Sequence, residues 1–186
     1  MTRQDSHVAT SAGARATDAQ RSKVYAAEDQ FSNMMNRGGV VEFFGSKLDI
    51  PAQKRFASLE SIRTYVHVLF AQLNADVAPP DVRERKGCAK AHYEYEKAVI
   101  AIPVSGPSAR WALREAVILH ECAHHLVAKS ALAGEPAHGP MFTSAMLHLV
   151  QVALGDQARL LLSAGYLELG VDVRDHQEVI PIEGTT

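Results

Sequence analysis

A chain of 186 residues, 47% apolar and 22% charged, has the make-up of an ordinary globular protein with one domain. Its net charge of −2 argues against nucleic acid as the partner, because nucleic-acid binders usually carry a basic stripe. Two cysteines, Cys88 and Cys122, make no CxxC and no disulfide framework, no apolar run reaches a membrane span, and the N-terminus lacks an apolar signal segment, so a cytoplasmic protein with no membrane partner is expected.

In chain order, residues 1–18 carry few large apolar side chains and predict a disordered tail. A single domain is expected over 19–170, and a loose C-terminal tail over 171–186. In "QRSKVYAAEDQFSNMMNR", Val24, Ala27, Phe31, Met34 and Met35 are close to helical spacing, and Gly38-Gly39 end the helix. "VVEFF", Val40 to Phe44, reads as a short strand between glycines. In "SLESIRTYVHVLFAQL", Ile62, Tyr65, Val66, Leu69, Phe70 and Leu73 form one face at period 3.6, with Ser58 as the N-cap. "DVRER", "AHYEYE" and "AVIAIPV" predict a meander of two or three strands. Ser108 then caps one long helix, ending near 128–133 with Gly134 beyond it. Pro140 launches a helix that Gly155 breaks, and "DQARLLLSAGYLELG" is the last one.

The long predicted helix contains "VILHECAHHLV", in which titratable groups interrupt an apolar run. Burying such groups without partners is costly, so they need a purpose. His120-Glu121-Cys122-Ala123-His124 is an HExxH. On a helix its two histidines share one face, about 6 Å apart along the axis, and can bind one metal ion. Zinc suits imidazole nitrogen. Glu121, one residue on, is then placed as a general base rather than a ligand. A third ligand is needed; His138 in "EPAHGPMF" is preferred and Glu135 is its rival.

The remaining candidates have plainer readings. His125 points about 100° away from His124 and is expected to pair with backbone or a nearby acid. Cys122 is a small core residue, and Met141, Met146, Leu147 and Val150 are core positions. His67 and His148 have no assigned function. Tyr93, Tyr95 and Tyr166 are structural or candidates for stabilising an oxyanion.

"LHECAHHL" followed by "HGPMF" resembles the HExxH…HGxxF signature of SprT-like minimal zincins. It is closer still to a set of small bacterial metallohydrolase-type proteins that share a "QRSKVYAAE"-like segment and the AHGP turn, over about residues 20–170. The resemblance implies a zincin-like α+β fold, in which a small mixed or mainly antiparallel sheet packs on a backing helix, here 58–74. An active-site helix would follow an edge strand, here Val99 to Pro103, along which a substrate peptide lies, and further helices would come after it. Carried over, the ligands are His120, His124 and His138, the base is Glu121, the cofactor is one catalytic Zn²⁺, and Phe142 is a packing residue. The chain lacks the cysteine-rich ribbon and basic elements of DNA-linked members. The implied activity is that of a zinc-dependent metallopeptidase acting on a peptide or protein; the alternatives are a zinc-stabilised binding module and a DNA-associated protease.

Overall fold

The structure, a computed structural model, describes residues 17–73, 76–86, 90–130 and 135–174. Cys88, Gly134, and most of both expected tails lie outside them. The fold is α+β, with six helices, a two-stranded hairpin and a three-stranded sheet among the described residues.

Helix α1 (Arg21–Met35) buries Val24, Ala27, Phe31 and Met35, the apolar stripe its spacing predicts. The strand expected after Gly39 is β1 (Gly39–Phe43), and it pairs antiparallel with β2 (Ser46–Ile50). The sequence reading does not contain β2, because "SKLDI" is too polar to show a clear alternation. The turn at Phe44-Gly45, with positive φ at both residues, closes the hairpin. Helix α2 (Leu59–Leu73) begins as expected: Ser58 Oγ accepts from the Ser61 amide at 3.2 Å, and Ser61 Oγ answers at the Ser58 amide.

The next three strands are β3 (Asp81–Glu84), β4 (His92–Glu94) and β5 (Val99–Ile102). They do not form a meander. Their order is β3-β5-β4, with β3 parallel and β4 antiparallel to β5. The expected edge strand is therefore corrected: β5 is central and β4 is the edge, packed beside the helix that carries His120 and His124. Burial explains the exchange. Ile100, Ala101 and Ile102 are all fully buried, so this run gains most from being covered on both sides, whereas β4 alternates and tolerates an edge. The backing helix α2 packs on β3.

The single long helix expected from Ser108 is also corrected. It is two helices, α3 (Ala109–Ala112) and α4 (Glu115–Lys129), separated at Leu113-Arg114. The cause is tertiary. The segment 53–56 runs past the junction, Arg55 forms a β-bridge with Arg114, and Phe56 N donates to Leu113 O at 2.9 Å. The free amides that open α4 are met there: Glu115 N donates to Lys54 O, and Ala116 N to Gln53 Oε1. The Glu115 carboxylate is fully buried and accepts from Lys54 N at 2.7 Å and Lys54 Nζ at 2.6 Å. A negative charge in the first turn also suits the helix dipole.

Helix α5 (Pro140–Leu154) starts with Pro140 in its first turn. Gly155, at φ 89°, separates it from α6 (Asp156–Glu168). Contacts run from α4 to α5, α5 to α6, and α6 back to α1, which brings the first helix against the last. Met141, Met146, Leu147, Val150 and Cys122 are buried in the core as expected.

The lock at Glu115 sets where α4 begins. Replacing Glu115 with Ala should cost roughly 2–3 kcal/mol of stability, because charge-assisted hydrogen bonds are lost; Glu115→Gln should cost less, since its amide oxygen still accepts from Lys54 N. Urea denaturation of the three proteins measures both differences.

Candidate metal centre

Residues four apart on α4 put His120 and His124 on one side, and the turn before α5 brings His138 over them. All three are buried, and each offers a nitrogen within 4.8 Å of the others. The Nε2 atoms of His120 and His124 are 3.2 Å apart. Two ligands on a tetrahedral zinc, each about 2.0–2.1 Å from it, are separated by about 3.3 Å. His138 Nε2 is buried with no hydrogen-bond partner, an expensive state unless it is a ligand atom. The three residues therefore fit a metal ion. Glu135, the rival, is committed elsewhere: its carboxylate pairs with Arg174 and accepts from the Met141 amide at 3.4 Å.

The other ring nitrogens show how the cluster is held. His120 Nδ1 lies 2.7 Å from Glu28 Oε2, and His138 Nδ1 lies 2.8 Å from Asp18 Oδ2. A carboxylate only accepts, so both Nδ1 atoms carry the proton and both Nε2 lone pairs are left for a metal. His124 Nδ1 meets the Tyr95 hydroxyl at 3.1 Å. The second Glu28 oxygen accepts from the Tyr166 hydroxyl at 2.8 Å, and Asp18 Oδ1 accepts from the His138 amide at 3.1 Å. Gln20 adds a bond from its side-chain amide to His138 O at 2.8 Å. Phe142 lies under all three imidazoles, with ring centroids 4.6–4.9 Å away.

The sequence reading does not single out Glu28, Asp18 or Tyr25, which stacks on His120 at 5.3 Å. A signal was present. Arg21, Tyr25, Glu28 and Ser32 repeat at helical spacing beside the apolar stripe of α1, and all four line the cleft. A polar stripe beside an apolar one is informative, but what it faces depends on where the tertiary structure packs α1.

Other candidates fall out as follows. His125 uses both nitrogens, one on the Tyr93 hydroxyl at 2.9 Å and one on Ala78 O at 2.8 Å, which matches the plain reading. The Tyr93 hydroxyl is thus engaged away from the three histidines. Tyr166 is fully buried against Glu28, whereas Tyr95 lines the cleft.

Electrostatics divides the ligands. Burial pulls His120 down, but the charge and hydrogen bond of Glu28 outweigh it and its pKa ends raised. His124 is pushed well below the usual histidine range by burial and by repulsion from His120 and His138. Burial also lowers His138, against the opposing pull of Asp18. Glu121 is raised, chiefly by burial, with His120 and the Tyr93 backbone opposing. These groups open onto a cleft of about 600 Å³ between α1, β4 and α4. Comparison with protein-family models, curated proteins and solved structures gave no match for this chain.

Two outcomes are expected. With zinc added as the probe ion, alanine at His138 should abolish stoichiometric binding, and alanine at Glu28 or Asp18 should weaken it roughly 10- to 100-fold while the fold persists; elemental analysis and competition with a chelating dye measure this. Glu28 holds His120 towards its protonated form, so uptake of a divalent ion should displace that proton and tighten as pH rises. Calorimetry in buffers of different ionisation enthalpy counts that proton, and Glu28→Gln should reduce the count.

Proposed function

We propose that the chain is a zinc-dependent hydrolase, a metallopeptidase that cleaves peptide bonds with Glu121 as general base. The observation that carries this reading is the convergence of three Nε2 atoms on one point of an open cleft, with Glu121 beside them on the same helix. His120, His124 and His138 would hold the ion and leave a position open to the cleft. That distinguishes the arrangement from a closed four-ligand structural site, and the Glu135 commitment to Arg174 is consistent with it.

Bound there, zinc would acidify water and polarise a scissile carbonyl. The rest belongs to the chain. Glu121 takes the proton of the attacking water and delivers it to the leaving amine. Burial raises its proton affinity, which suits a group that must accept and then give up a proton, and the Tyr93 backbone hydrogen bond aims the carboxylate. Edge strand β4 lines the same cleft through His92 and Tyr93, and an extended substrate backbone can lie beside it.

The decisive comparison is wild type against Glu121→Gln on a peptide library, both loaded with zinc. The variant should retain one zinc per chain and lose hydrolysis roughly 100- to 10,000-fold. Cleavage by the variant at the wild-type rate would remove Glu121 from the chemistry.

A further inference from the structure

The cleft is unevenly charged. Of its acids, Glu28 is spent on His120, Asp18 on His138 and Glu135 on Arg174, while Glu121 sits at the centre. Asp29 lies eight residues beyond Arg21 on α1, about 12 Å along the helix. Of the basic groups, Arg85 is spent on Lys90 O and His92 Nδ1, both at 2.6 Å, and Arg21 and Lys90 are gathered at the other end. Arg21 Cζ is 5.6 Å from the Tyr25 ring centroid and Lys90 Nζ is 5.4 Å from it, so the two cations share one ring. Lys90 Nζ is also 5.7 Å from the Trp111 ring, which places it between α1 and α3. Among the described residues, neither Arg21 nor Lys90 has a carboxylate within salt-bridge distance. Glu94, the acid on the neighbouring strand β4, is shared by Arg83, His92 and Lys97.

Aromatic faces attract a cation without neutralising it. Arg21 and Lys90 are thus steadied by Tyr25 and Trp111 while their charge stays available to a ligand. The Tyr25 ring that carries them also packs on His120 and His138, at 5.3 and 5.1 Å, which ties these cations to the metal-binding histidines. Two cations on low-dielectric walls, beside a divalent ion, form a strongly anion-attracting site.

We infer that Arg21 and Lys90 form an anion subsite next to the metal centre, and that the substrate bears a carboxylate close to the bond that is cut. The carboxylate belongs either to an acidic side chain or to the peptide C-terminus. This rests on the hydrolase reading for the nature of the substrate, but the subsite can be read out by binding alone.

The test uses peptides anchored to zinc by a succinyl hydroxamate. One pair differs only by glutamate or glutamine; a second pair differs only by a C-terminal carboxylate or amide. They are titrated against zinc-loaded wild type and the double variant Arg21→Gln/Lys90→Gln, each assayed for one zinc per chain. The charged member of at least one pair should bind roughly 10- to 100-fold tighter than its neutral mate, as expected for charge-assisted hydrogen bonds. The double variant should lose that preference and still bind the neutral mate. The pair that responds identifies the source of the carboxylate. Equal binding within both pairs, or a preference that survives in the double variant, overturns the subsite and leaves the hydrolase reading intact. Failure of every hydroxamate to bind wild type that carries zinc overturns both.

Discussion

Three imidazoles are buried around one point, and a group that ordinarily binds water cannot be left there unsatisfied. Glu28, Asp18 and Tyr95 each take one Nδ1, so the remaining three nitrogens are left to one another and only His138 Nε2 has no partner. That constraint organises the molecule. Glu28 must be buried, which needs Tyr166 on its second oxygen, and therefore needs α6 packed on α1. A metal ion would resolve the remaining frustration, since His138 Nε2 has no other partner.

The centre is consequently assembled from parts distant in sequence. His120 and Glu28 are separated by 92 residues, and His138 and Asp18 by 120. The third ligand is held largely by the segment that precedes α1. Asp18 grips its ring and amide, while Gln20 grips its carbonyl and also bonds both backbone groups of Asp172. The chain just after the last helix belongs to the same clasp, for Thr143 donates to Asp172 O and Arg174 N to Pro140 O. Asp18, the last residue of the expected N-terminal tail, and Asp172 and Arg174, near the start of the expected C-terminal one, are thus part of the framework around the candidate metal centre.

One helix serves two purposes through its two stripes. Val24, Ala27, Phe31 and Met35 anchor α1 in the core, and Arg21, Tyr25, Glu28 and Ser32 face the cleft. The polar stripe is graded. Glu28 stabilises a ligand, Tyr25 packs on two of them, and Arg21 adds positive charge towards the mouth. This gradient links the geometry of the metal centre to the selectivity proposed for its substrate.

Local spacing was enough to identify the helix that carries His120, Glu121 and His124, because i to i+4 proximity is a property of helix geometry alone. The glycine-proline turn after His138 was also legible, since its conformational bias is local. The sequence likewise marked the core faces of α1, α2 and α5 by their periodicity. Only the tertiary structure decided the rest. The break at Leu113-Arg114 comes from pairing with 53–56, which no property of "WALREAV" announces. The central place of β5 reflects competition among three short strands for burial. The carboxylates behind His120 and His138 are ordinary acids in sequence, and they acquire a role only when packing carries them across 92 and 120 residues to an imidazole. Short-range order follows from backbone geometry and side-chain pattern; the partners of buried polar groups follow from which surfaces the whole chain brings together.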